Sequence, residues 1–278
     1  IKYHKLDPRT ALVELKPRPG EHTLRTEDIL QSIAAHGRHL ALVLLPGVQY
    51  YTGQFFDIKK ITEAGHRAGA YVGFDLAHAV GNVPLRLHQH HVDFAVWCGY
   101  KYLNSGPGGT AGAFVHSRHK DDFTLPRLAG WWGHQESVRF HMKKGFVPMK
   151  GADGWQLSNV PILAGAAHLA ALKLFEEAGM ARLRKKSILL TGYRHFLLGG
   201  LGPKGSRFEI ITPPIAKERG CQLSILMKGN GKKTFATLAR NGIITDWREP
   251  GVIRAAPVPL YNSFEDVYRF AHVFSQAL

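Results

Sequence analysis

Residues 70–82 read AYVGFDLAHAVGN and residues 92–109 read VDFAVWCGYKYLNSGPGG. In each, a short apolar run ends at once in polar chemistry: Asp75 and His78 after the first, Tyr100 and Lys101 after the second. Such runs are too short for helices and suit strands buried on both faces of a parallel sheet. Upstream, Leu40–Leu45 is another, stopped by Pro46-Gly47; downstream, Ala111–Val115 is a fourth, and Ala11–Leu15 is a further short strand candidate. Helical patterns lie between them. Thr26 is placed to cap a helix with Glu27 and Asp28 in its first turn, Ile29, Leu30, Ile33 and Ala34 as its stripe and Gly37 at its end. Asp57 is placed to cap a second, with Ile58, Ile61 and Ala64 inward and Gly69 beyond it. Alternating strands and helices predict an α/β fold whose mainly parallel sheet is covered on both faces. Ligands of such sheets sit beyond the carboxyl ends of the strands, where Asp75 and Lys101 fall.

The second half changes character. Pro161 to Ala178 and Ala181 to Leu198 read as helices, followed by a break at Gly199, Gly200 and Gly202-Pro203. Phe208–Thr212, Gln222–Met227 and Val252–Ala256 read as strands, and Lys233–Arg240 as a helix closed by Asn241-Gly242. Ser263 and Asp266 form a capping-box-like start to a terminal helix carrying Phe264, Val267, Phe270, Ala271 and Phe274. The expected organisation is part of a large domain over 1–160, connecting helices over 161–200 and a small α+β domain over 201–278.

Composition narrows the class. The 278 residues, 45% hydrophobic and 21% charged, describe an ordinary globular chain. No apolar run reaches the roughly 18 residues of a membrane span. Two cysteines, Cys98 and Cys221, make no disulfide framework, which fits a reducing, cytoplasmic setting. The formal charge of +15 is scattered. Its densest run, Arg182, Arg184, Lys185 and Lys186, has no interleaved stacking aromatics, so neither nucleic acid nor a membrane is expected as partner. The first residue is Ile1, and the chain is expected to begin partway through a longer protein.

The lysine 26 residues after Asp75 is the informative feature. A lysine amine forms a Schiff base with the aldehyde of pyridoxal phosphate, and a carboxylate keeps the pyridine nitrogen protonated so that the ring accepts electrons. Glycines after Lys101 let the backbone approach such a cofactor. By themselves these residues also suit a turn-capping Asp75 and a solvated Lys101.

The chain resembles the kynureninase family of fold-type-I pyridoxal-phosphate enzymes, related to the class V aminotransferases. The likeness is carried by PGVQYYTGQ (46–54), GFDLAHAVGN (73–82), GYKYLN (99–104), GWWGH (130–134), LSNVPIL (157–163), RKKSILLTGY (184–193) and IRAAPVPLYNSF (253–264). It implies a three-layer transferase-like sandwich with a smaller C-terminal domain. It further implies a cytoplasmic homodimer that hydrolyses kynurenine or 3-hydroxykynurenine to an anthranilate and alanine, in tryptophan catabolism and NAD biosynthesis. Carried over by position, Lys101 holds the cofactor and moves the substrate α-proton. Asp75 pairs with the pyridine nitrogen and His78 supports it. Tyr100 binds the phosphate and acts as acid or base. Trp131 reaches the phosphate, with Trp132 a neighbouring aromatic, and Asn159 lies near the phosphate and the substrate ring. Arg254 clamps the substrate α-carboxylate with its two-donor fork; buried in the apolar run IRAA, it would be costly without an anion.

Three departures stand out. About the first third of the family pattern is absent, including a phosphate-cradling loop and a ring-stacking aromatic. Pro46, which has no N–H, stands where many relatives carry a small hydroxyl residue. One residue is inserted between Lys101 and Trp131. Two other motifs point elsewhere only weakly. LHQHH, with His88, His90 and His91, lacks the spacing of a tetrahedral site and partner cysteines, so no metal is expected. SGPGG after Lys101 has no Walker lysine and reads as a turn. The alternatives are another class V enzyme, such as a cysteine desulfurase-like lyase, or an inactive binding fragment of the fold.

Overall fold

A computed structural model describes residues 1–202 and 207–278. Short α1 (Pro8–Ala11) precedes α2 (Thr26–His36), β1 (Leu42–Pro46), α3 (Ile58–Arg67), β2 (Tyr71–Asp75), β3 (Phe94–Cys98) and β4 (Ala111–Val115). Strands β1, β2 and β3 pair in parallel, and β4 closes the edge antiparallel to β3. No helix separates β3 from β4, and a parallel return needs a long crossover, so the direction reverses there. Val43, Val72, Phe74 and Ala95 point to one face and pack with Ile29, Ile33, Ile58 and Ile61 of α2 and α3. Among the described residues the other face is not covered. Leu42, Leu44, Tyr71 and Val96 there are 44–55% exposed, where coverage of both faces was expected.

Helices α4 (Ile162–Ala178) and α5 (Met180–Gly199) lead to the second sheet. The break after α5 extends into Pro203, which lies outside the described residues. Strands β5 (Phe208–Ile210), β6 (Leu223–Met227), β7 (Asp246–Arg248) and β8 (Val252–Ala255) pair antiparallel in the order β5-β6-β8-β7, with α6 (Gly231–Arg240) between β6 and β7. Helix α7 (Phe264–Ala277) packs Phe270 and Phe274 against Leu198, Ile225 and Ile253. Ser263 and Asp266 form its capping box.

Three local expectations are corrected. Ala11–Leu15 is not a strand: Asp7 accepts from the Arg9 amide, Pro8 starts a helical turn, and exposed Leu12 and Val13 have no strand to pair with. Thr26 is the first helical residue, with Arg25 at the cap position and no side-chain cap. Strand β7 was not anticipated, because its three residues DWR carry no apolar alternation.

Buried Asp93 staples the edge of the first sheet opposite the expected site. Its carboxylate accepts from the Val72 amide (2.7 Å) and engages His66 (2.8 Å), His119 (2.6 Å) and Arg118. Burial would raise its pKa, but the bonds from His119, His66, the Val72 amide and Arg118 outweigh it and hold the carboxyl near about 2. A carboxylate depressed on folding stabilises the fold fully above its unfolded pKa, and that stability is lost as pH falls through about 2. Asp93→Asn should therefore cost a few kcal/mol (~3) at pH 7 and flatten the acid limb of the stability profile, as read by urea denaturation. An unchanged acid limb would refute this account.

Candidate active site

Asp75 ends β2 beside Pro46 of β1 and Val96 of β3. Its carbonyl accepts from the Gly47 amide (2.8 Å), and its Oδ1 accepts from the Ala77 amide (2.8 Å). That second bond orients the carboxylate while committing one oxygen only. The loop then turns His78 inward, between Tyr50 (ring centroids 6.4 Å apart) and Tyr102 (6.0 Å). Burial, then the positive charges of Lys101 and Arg254, push the His78 pKa down to about 4, against the opposing pull of Asp75. Four residues separated by up to 179 positions thus share one neighbourhood, and the His78 ring is neutral at pH 7. Its Nδ1 is buried with no partner among the described residues, an orphan polar atom in a site rich in charge.

Lys101 is half-buried in the turn after β3, its Nζ 5.9 Å from the Tyr100 ring. The chain reaches this turn through Gly99, where a Cβ would lie 2.3 Å from the Thr110 carbonyl oxygen; only glycine lets β3 and the start of β4 approach so closely. Helix α4 docks alongside, with His168 Nδ1 2.7 Å from Thr110 Oγ1. Tyr100 is exposed, and the Cys98 thiol beside it raises its phenol pKa.

Arg254 comes from β8 of the second sheet. Its side chain is only 9% exposed, pairs with Asp246 of β7, and donates from Nη1 to the Tyr50 carbonyl (2.6 Å). Asp246 therefore supplies within the chain the anion that burial of Arg254 demands, while Nε stays without a partner among the described residues. The small domain is held to the loop after β1 by further bonds: Gln222 Nε2 to the Tyr50 carbonyl (2.9 Å), Ser224 Oγ to the Tyr51 carbonyl, and Thr212 Oγ1 to the Thr52 carbonyl. Asn82 bridges both parts, accepting from the Cys221 amide (2.9 Å) and donating to the His78 carbonyl (2.9 Å).

Trp131 and Asn159 are both exposed. The two loops that carry them pack together: a Cβ at Gly130 would lie 2.3 Å from the Leu157 Cα. Trp131 meets Phe140 edge-on (5.6 Å), whereas the Trp132 ring lies under the Arg139 guanidinium (4.5 Å). Of the LHQHH residues, His88 stacks on His116 at 4.6 Å. Among the described residues no group of three metal-ligating side chains converges.

Sequence comparison decides the family. The chain is 53% identical over 279 residues to a kynureninase of Flavobacterium psychrophilum, covering 100% of this chain and 66% of that protein. It is 55% identical over 270 residues to a kynureninase of Myxococcus xanthus, covering 97% of this chain and 63% of that one. The family model for the kynureninase C-terminal domain matches residues 183–274. The chain belongs to the kynureninase family. It spans 66% and 63% of the length of these two relatives. An apo cysteine desulfurase from Thermococcus onnurineus NA1 superposes with a TM-score of 0.74 at 21% identity, covering 92% of this chain and 63% of that one. That likeness establishes the fold-type-I architecture of this kynureninase-family chain.

Tyr50, Tyr102, Asn82 and Asp246 escaped the reading of single residues. Three signals were available. Tyr50 lies in PGVQYYTGQ, Asn82 in GFDLAHAVGN and Tyr102 in GYKYLN, all among the motifs that carry the family likeness. Asp246 left no signal, because its partner Arg254 is brought to it only by strand pairing.

Proposed function

We propose that this chain supplies the catalytic core of a pyridoxal-phosphate-dependent hydrolase that cleaves kynurenine or 3-hydroxykynurenine to an anthranilate and alanine. The observation that carries this reading is the convergence of Asp75, His78, Lys101 and Arg254 in a chain of the kynureninase family. The residues fit the cofactor: an amine, a carboxylate with one oxygen committed, and an orphan buried imidazole nitrogen share one site. When bound, pyridoxal phosphate supplies an electron-accepting ring that stabilises negative charge at the substrate α-carbon.

The chain's own residues do the rest. Lys101 holds the cofactor through its amine and then moves the proton at the substrate α-carbon. Asp75 keeps a proton on the pyridine nitrogen. His78, neutral at pH 7, packs beside it as a supporting group. Arg254 receives the substrate α-carboxylate, its Nε being uncommitted. Tyr100, whose raised pKa keeps it protonated, donates at the γ-carbonyl as water adds and the Cβ–Cγ bond breaks. Trp131 and Asn159 serve the cofactor phosphate, and Asn159 also the substrate ring. Such an enzyme acts in tryptophan catabolism and NAD biosynthesis. Both cysteines are free, which suits the cytoplasm.

A planar fork distinguishes Arg254 from any other cation. Arg254→Lys should raise KM for kynurenine about 10-fold and Arg254→Ala about 100-fold, the range for losing charged hydrogen bonds. The absorbance spectrum of bound cofactor should not change. Cofactor loss in a folded Arg254→Ala protein would make Arg254 a cofactor ligand instead.

A homodimer is the expected assembly. Trp131 and Asn159 are exposed site components, and α4 presents Ile162 and Leu163 at 85% and 87% exposure, an apolar face suited to a second copy. Sedimentation of an active preparation should give twice the monomer mass. A monomer with full activity would overturn the dimer.

A further inference from the structure

Helix α5 buries a stripe made by Leu183, Ser187, Leu190, Thr191, Arg194 and Leu198. Their spacing is that of one core-facing helix side, so Arg194 stands where an apolar residue would ordinarily pack. It is 2% exposed. Among the described residues its Nε and Nη2 have no hydrogen-bond partner, and no carboxylate pairs with it. Its guanidinium lies over the Phe270 ring at 5.6 Å. One aromatic face does not replace the hydration that this cation gave up.

Among the described residues none offers it a counter-charge. Burial pushes the Arg194 pKa down to about 9, so it is still charged at pH 7. The nearby Cys221 thiol is pushed up to about 11 by burial and is neutral there. Arg219 is a second cation in the same region.

Arg194 lines a cavity of about 380 Å³ between α5, α7 and the segments 242–245 and 255–262. Thr245, on the same wall, has a buried Oγ1 that also lacks a partner among the described residues. The acid on this wall, Asp266, is engaged as the cap of α7, accepting from the Ser263 amide (2.8 Å) and from Asn262 Nδ2 (3.3 Å). The remaining cation, Arg269, donates to the Asn241 carbonyl (2.7 Å). Two side chains that carry unpartnered buried donors thus line one cavity whose other walls include Ile243, Pro257 and Phe270.

The geometry points to a binding site for a small organic monocarboxylate in this cavity, held by the Arg194 fork and the Thr245 hydroxyl with its hydrocarbon body against Phe270 and Pro257. A guanidinium matches a carboxylate in plane and bidentately. A single negative charge balances the one uncommitted cation. A phosphate dianion would exceed it, with Asp266 close by. The apolar walls take a hydrocarbon body that inorganic ions lack. This site is separate from the cluster around Lys101, and its test does not depend on catalysis.

Benzoate, uncharged benzamide and inorganic phosphate serve as probes on the 278-residue chain, with the thermal-unfolding midpoint and calorimetric titration as readouts. Benzoate at 100 times its dissociation constant should raise the midpoint by roughly 5 °C. Benzamide should raise it by much less. Arg194→Met, which keeps the stem and removes the charge, should fold at least as stably without ligand and should lose the benzoate response. Thr245→Val should weaken benzoate several-fold. Arg254→Met should retain the response, separating this site from the proposed substrate clamp. The assignment is overturned if benzoate does not bind, if its binding survives Arg194→Met or vanishes in Arg254→Met, or if phosphate binds at Arg194 and benzoate does not.

Discussion

Lys101→Ala in an active preparation lowers kcat for kynurenine by at least about 10³-fold, within the range that one positioned proton-transfer group supplies. In the proposed mechanism the residue does two things: it holds the cofactor covalently and carries the α-proton. Exogenous amines restore neither geometry, so the loss should persist when they are added. Borohydride reduction in the presence of pyridoxal phosphate should place the label on the peptide containing Lys101. A label on another lysine, with Lys101 unmodified, would overturn the assignment. Lys101 is half-buried, and its positive charge is among those that push the His78 pKa down. Most other lysines lie on the scattered basic surface.

Asp75→Asn has the second largest expected effect, a fall in kcat of about 10²- to 10³-fold, the usual consequence of losing a preorganised electrostatic partner. An amide still accepts from the Ala77 N–H, so the loop that carries His78 keeps its shape. What disappears is the negative charge that, in the proposed mechanism, favours a proton on the pyridine nitrogen. The cofactor should still bind, with a changed visible spectrum, and near-normal turnover would show that the carboxylate has no such role. Asp75→Asn therefore separates electronic from structural loss more cleanly than Asp75→Ala.

Local order was legible wherever short-range chemistry sets it. Gly37 ends α2, Asp57 caps α3 and Ser263 with Asp266 starts α7, each through contacts within a few residues. Apolar runs at 40–45, 70–74, 92–98 and 111–115 marked all four strands of the first sheet, because an apolar run of that length has few other ways to be buried. Ala11–Leu15 misled for the same reason in reverse: it has strand composition but no strand beside it. Strand β7 was invisible because three polar-flanked residues owe their conformation to pairing with β8. The exposure of Leu42, Leu44, Tyr71 and Val96 was not legible either, since periodicity reports how apolar a strand is and not what lies against each face.

The candidate site divides along the same line. The amino-acid order alone placed Asp75, His78, Tyr100 and Lys101 at the carboxyl ends of adjacent strands, since a parallel sheet gathers those ends on one side. Arg254 is different. Its position depends on Gln222, Ser224 and Thr212 tying the second sheet to the loop after β1, contacts that span more than 150 residues. Whether Arg254 would be neutralised by Asp246, and whether Arg194 would be buried with no carboxylate beside it, were likewise settled only by packing. Sequence spacing encodes what neighbouring residues do to one another, through hydrogen bonds and side-chain direction along a helix or strand. The charge balance of a buried site depends on which distant segments exclude water from it, and only the folded chain brings those segments together.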